Sequence, residues 1–210
     1  MFVMGIDPGL SRCGYGVVEQ VAVGARSRSG LRAVAAGVIT TPVDETIPRR
    51  LAALGTELRS LLDEYSPAVV VVERVLFQTN ARTAMAVGQA SGLALAAAAE
   101  RAADVVQYSP NEVKMAVTGY GSATKTQVQT MVQAILDLSE VPNPPDVADA
   151  LARAICHLAR VPLARRAALA EAGWRVRSTG ASAPASSAAS APREGPLAAP
   201  AASAPMEVAP

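Results

Sequence analysis

Apolar positions along this chain change period several times, and each change marks an element. Phe2–Ile6 is a short apolar run that stops at Asp7-Pro8-Gly9, a turn sequence. Gly14–Val21 and Leu31–Ile39 are two further strand candidates. A Gly/Ser/Arg-rich stretch from Gly24 to Gly30 separates them, so a three-stranded antiparallel meander is expected. From Ile47 to Tyr65 the period becomes helical, with Leu51, Leu54, Leu58, Leu61 and Leu62 on one face. Ala68–Val72 reads AVVVV, an uninterrupted run suited to a strand covered on both faces, and it ends on Glu73. Asn80–Arg101 predicts a long Ala-rich helix with Asn80 as N-cap. Glycine weakens a helix, so Gly88 and Gly92 on it suggest the close approach of another element. Val105–Tyr108 predicts a last strand. Ser109 and Pro110 open a helix through Val117. Ser122–Leu138 and Asp146–Arg160 predict two more helices, the second after the Pro142–Pro145 stop. The order β-β-β-α-β-α-β-α-α-α predicts an α/β fold, a mixed sheet with helices on both faces.

Composition adds a boundary. From about residue 176 the chain is mostly Ala, Ser and Pro with few charges and no periodic apolar face. This predicts a folded domain over 1–175 and a disordered tail over 176–210. No apolar run reaches the roughly 18–20 residues that span a bilayer, and the start resembles no signal peptide, so a cytoplasmic protein without membrane contact is expected. Cys13 and Cys156 are the only cysteines and make no disulfide framework; with one His there is no zinc pattern. His157 is expected to be structural or on the surface, and both thiols to be small buried or half-buried side chains. The net charge of +1 looks neutral toward polyanions. Before Thr179, however, the chain holds 18 basic and 16 acidic residues. Were four acids gathered around cations, eighteen bases against the remaining twelve acids would leave a surface balance of +6, permissive for a nucleic acid.

Four acids invite that grouping. Asp7 ends the first strand, where loops of open α/β sheets build sites, although an Asp also suits a turn. Glu73 follows four valines, where an unpaired buried charge is costly. Arg74 is poorly placed to pair with it, because adjacent strand residues point to opposite faces. Asp146 and Asp149 are three apart at a helix start and share one side; a helix N-terminus also favours Asp146 electrostatically. Oxygen ligands without His or Cys suit Mg²⁺ or Mn²⁺. Two such ions about 4 Å apart support in-line displacement at phosphorus. Lys114 and Lys125 lie near predicted helix starts, where a cation does not help the helix dipole, so phosphate contact is an alternative to a solvated face.

These residues also resemble a known family. Gly5-Ile6-Asp7-Pro8-Gly9 followed by Gly14-Tyr15-Gly16-Val17-Val18 is similar to the start of the RuvC crossover junction endodeoxyribonucleases. Val72-Glu73, Gly88-Gln89-Ala90 with Gly92, Val113-Lys114, Gly121-Ser122-Ala123 with Lys125, and Asp146–Ala152 resemble later blocks in the same order. The resemblance implies an RNase H-like fold, a homodimer, and symmetric nicking of Holliday junctions in recombination and repair. It implies Asp7, Glu73, Asp146 and Asp149 as catalytic metal ligands for two Mg²⁺ ions, with Mn²⁺ substituting. It further implies Lys114 and Lys125 as DNA-binding residues, 5′-phosphate and 3′-hydroxyl ends, and work beside the RuvA–RuvB branch-migration complex. Members often carry Phe three residues after the catalytic Glu. Here Leu76 stands there and Phe77 comes next, so either side chain could contact DNA bases.

Rival readings remain: an RNase H-like nuclease acting on structured RNA, or a junction-binding protein that does not cut. An actin-like ATPase or sugar kinase is disfavoured, since those need two such domains.

Overall fold

A computed structural model describes residues 1–22, 27, 29–74 and 81–161. Its elements are β1 (Phe2–Asp7), β2 (Arg12–Gln20), β3 (Leu31–Thr40), α1 (Ile47–Tyr65), β4 (Val69–Glu73), α2 (Ala81–Ala99), β5 (Asp104–Tyr108), α3 (Pro110–Thr118), α4 (Lys125–Ile135) and a final helix, α5, over residues 145–161. Leu76, Phe77, the expected Asn80 cap and the expected tail over 176–210 lie outside the described residues.

The five strands form one sheet in the order β3-β2-β1-β4-β5. The first three strands are the expected antiparallel meander, while β4 and β5 join parallel to β1. Helical crossovers account for the parallel pairs, because a tight turn cannot return a chain in the same direction. The period of two in β1 and β4 sorts their side chains into two cores. Val3, Val18, Val69 and Val71 pack with Val113, Val128, Val132, Leu151 and Ile155 from α3, α4 and α5. Met4, Ile6, Val17, Val70 and Val72 pack on the opposite face with Leu54, Leu58, Leu62, Ala90 and Ala94 from α1 and α2. Covering on both faces explains why β4 could be four consecutive valines.

Two expectations are corrected. The helix expected from Ser122 begins at Lys125. Thr124 caps it by accepting from the Gln127 backbone N–H, and the Gln127 side chain accepts from the Thr124 N–H. That reciprocal box outcompetes a start at Ser122. Gly88 and Gly92 do not mark a close approach by another described element of this chain, since a Cβ at either would meet nothing within 4 Å among the described residues.

Close approach occurs instead at the glycines of β1 and β2. A Cβ on Gly5 would run into the carbonyl oxygen of Ala150, and one on Gly14 into that of Asp146. Gly5 and Gly16 are cross-strand partners, as are Asp7 and Gly14. These bare positions let the backbone of α5 lie directly on the sheet and set the height of its first turn above the end of β1.

Candidate active site

The same strand alternation that sorts the core also aims the acids. Asp7 follows Val3 and Gly5 on β1, and Glu73 follows Val69 and Val71 on β4, so both point toward α5. The pairing Ile6↔Val72 makes their strand ends adjacent. α5 carries Asp146 and Asp149 over this edge. The side chains of the four acids are 22–28% exposed, sunk enough to feel one another but open to a ligand.

A cleft of about 330 Å³ opens there, lined by Asp7, Glu73, Asp149, Lys114, Lys125 and Arg153, with Pro110, Val113 and Val128 as its apolar wall. Asp146 stands at its margin, where Arg12 pairs with it at 2.9 Å. Lys125 lies 3.4 Å from Asp149 and is 76% exposed. Lys114 is the fifth residue of α3, whose start at Pro110 is the expected one, and it lines the cleft. Arg74 is not Glu73's partner; it donates to the Gln107 carbonyl and lies 3.8 Å from Glu112.

Glu73's partner is Arg153. One guanidinium nitrogen of Arg153 donates to Glu73 and forms an ion pair with Asp7 at 2.8 Å. The Arg153 side chain is only 7% exposed, and its buried Nε has no hydrogen-bond partner. An unsatisfied buried donor costs about 1–3 kcal/mol. The two acids, rather than best-case packing, therefore fix where this guanidinium sits.

Electrostatics agree with a charge focus at Asp7. Burial pushes its carboxyl above the ordinary range; Arg153 pulls it back, and Asp149, Glu73 and Asp146 each push it up again. Cys13, Cys156 and His157 are buried. Burial raises the Cys13 thiol to about 12 and the Cys156 thiol to about 11. Burial lowers His157, which is hydrogen-bonded to the Tyr108 hydroxyl at 3.1 Å.

The donor set is all hard oxygen, suited to Mg²⁺ or Mn²⁺. As placed, no three of His, Cys, Asp or Glu among the described residues stand close enough to share one ion. Arg153 occupies the point between Asp7 and Glu73, and it serves as a stand-in showing that this pair accepts a positive charge.

Comparison with known proteins gives this geometry a family. Residues 3–157 match the model of the crossover junction endodeoxyribonuclease RuvC family. The chain belongs to the RuvC family. A RuvC of Leifsonia xyli is 51% identical over 162 residues, which cover 77% of this chain and 76% of that protein. A RuvC of Saccharopolyspora erythraea is 48% identical over 172 residues, covering 82% and 84%. The RuvC of Thermus thermophilus in complex with Holliday junction substrate superposes with a TM-score of 0.71 at 36% identity, covering 78% of this chain and 96% of that one. The RNase H-like fold of RuvC thus holds here, and the resemblance read from the motif blocks is borne out.

Sequence reasoning missed Arg153 and Arg12. Arg153 had a signal: it is a lone charge in the apolar stretch Ala150–Cys156, one turn past Asp149 on the same helix side. Arg12 sits beyond the Pro8-Gly9 turn and carried no local cue.

Proposed function

We propose that the acidic cleft cuts four-way junction DNA, making this chain a structure-specific, metal-dependent endonuclease of recombination and repair. The observation that carries this is the convergence of acids from β1, β4 and α5 beside two cleft lysines, in a chain of the RuvC family. In this reading Asp7, Glu73, Asp146 and Asp149 hold two Mg²⁺ ions, with Mn²⁺ able to substitute. When bound, such ions supply an activated water and stabilise charge on the leaving oxygen. Lys114 and Lys125 contact phosphates of the cut strand and orient it, without reading sequence. Hydrolysis that breaks the bond from phosphorus to O3′ leaves 5′-phosphate and 3′-hydroxyl ends that a ligase can rejoin.

Paired nicks in strands of like polarity need two cleft copies, hence a homodimer. Met85, Gly88, Gly92 and Ala96 form an exposed stripe at helical spacing on α2, which supports a partner there. Work beside the RuvA–RuvB complex in the cytoplasm completes the reading; no described helix is long and apolar enough to cross a membrane. The test compares a four-way DNA junction, plain duplex and structured RNA with Mg²⁺ present. Nicking of the junction far above the others is expected. Preferential cutting of the RNA would replace the substrate assignment while keeping the chemistry.

A further inference from the structure

Four acids gather at the cleft, and three bases answer them: Arg12 on Asp146, Lys125 on Asp149, and Arg153 on both Asp7 and Glu73. The three bases differ in kind. Arg12 and Lys125 are 50% and 76% exposed, so water screens them and competes for them. Arg153 is 7% exposed and acts where screening is weak. It rises from beneath the cleft, about 6 Å along the α5 axis from Asp149. One nitrogen bridges two carboxylates that belong to different strands, and Nε is left without a partner.

We propose that Arg153 is the acid cluster's own counter-cation. Its guanidinium sits between Asp7 and Glu73, two of the residues that would hold a divalent ion, so metal loading and the Arg153 contacts would compete. The proposal rests on the reading of the four acids as the metal site. Without metal, Arg153 holds two repelling carboxylates at the spacing the sheet imposes. Loading an ion there requires the guanidinium to release at least one of them, which weakens the apparent metal affinity. Arg153 is thus a positioning residue rather than a phosphate ligand: both its carboxylate contacts lie inside the acid cluster, whereas Lys125 is 76% exposed and meets DNA with Lys114.

The test is Mn²⁺ binding to the full-length, metal-stripped protein, read from the electron paramagnetic resonance of free Mn²⁺ and from the Mn²⁺-induced rise in melting temperature. Arg153→Leu removes the competitor, and its Mn²⁺ affinity is expected to rise by about tenfold or more, with a larger melting shift than wild type. Arg153→Lys keeps the charge but loses the planar fork, so its affinity should fall between the two, about threefold above wild type. It decides the matter should the Leu variant fail to fold. A merely structural ion pair predicts equal or weaker Mn²⁺ binding in both variants, and that result overturns the proposal. Asp7→Asn separates the two readings. Wild-type Mn²⁺ binding that this change weakens, with no gain in either Arg153 variant, rejects the counter-cation alone. Mn²⁺ binding indifferent to Asp7→Asn rejects the metal site and the counter-cation with it.

Discussion

Replacing Gly14 with alanine puts a methyl group where the first turn of α5 already lies. The new Cβ would enter the carbonyl oxygen of Asp146 and stand 2.7 Å from its carbonyl carbon and 3.1 Å from its Cβ. All three atoms are fixed by backbone, so no side-chain rotation relieves the overlap. α5 must lift from β2 by about 1 Å to restore ordinary contact near 3.5 Å. Overpacking of this kind costs roughly 1–3 kcal/mol, and the backbone-to-backbone contact puts the cost at about 2–3 kcal/mol. For a domain of this size that is a melting shift of about 5–10 °C. The functional loss should be larger, because the moved residue is Asp146 itself; a misplacement of about 1 Å can cost about a hundredfold in rate. The assay is junction cleavage under single turnover, together with a melting curve. Gly55→Ala in α1 is the control, since the nearest atoms its Cβ would meet are side-chain atoms of Arg59 and of Leu93 on α2, at 3.4–3.6 Å. It should leave the rate unchanged and stabilise by about 0.5–1 kcal/mol. Wild-type melting and cleavage by Gly14→Ala would refute the claim that bare strand glycines set the height of α5.

Other outcomes follow from the same geometry. Lys125→Ala should weaken junction binding and flatten the slope of log affinity against log salt by about 1, measured by gel shift over a salt series. Native protein at pH 8 should resist thiol reagents at Cys13, where a value of about 12 leaves about one thiolate in ten thousand, while denatured protein releases two thiols. Glu112 is lowered to about 2, chiefly by the Ser109 backbone N–H, then by Arg160 and the Ser109 hydroxyl. A lowered carboxylate stabilises above its ordinary value and loses that contribution as pH falls. Glu112→Ala should therefore cost about 1 kcal/mol at neutral pH, and the gap to wild type should close between pH 4.5 and about 2 in urea titrations.

How much was legible beforehand depends on how local each cause is. The α1 helix was readable over Ile47–Tyr65 because its leucines repeat at helical spacing. Glu73 stood out because four valines lead into a charge, and Asp146 with Asp149 because they share a helix side. The strand alternation then carried Asp7 and Glu73 to one face. Pairing across long separations was not legible. Arg153 lies 80 residues from Glu73, and nothing local says which acid a lone arginine will meet. Nothing in the strands of Gly5 and Gly14 says that α5 comes down on them, whereas Gly88 and Gly92, which looked like contact points, meet no other element among the described residues. Ser122 and Thr124 are both good caps, and only Thr124 has Gln three residues on to complete the box.

Whether the acid cleft cuts junction DNA is decided by Asp7→Asn. The change keeps the side chain's size and its reach toward Arg153 but removes the charge at the focus of the cluster. The measurement is nicking of an end-labelled four-way junction with Mg²⁺, paired with junction binding in its absence. Wild type is expected to nick the junction, and Asp7→Asn to bind it equally well but leave it uncut. Cleavage by Asp7→Asn at the wild-type rate, or a wild type that binds the junction and never nicks it, would rule out the acid cleft as the site of cutting.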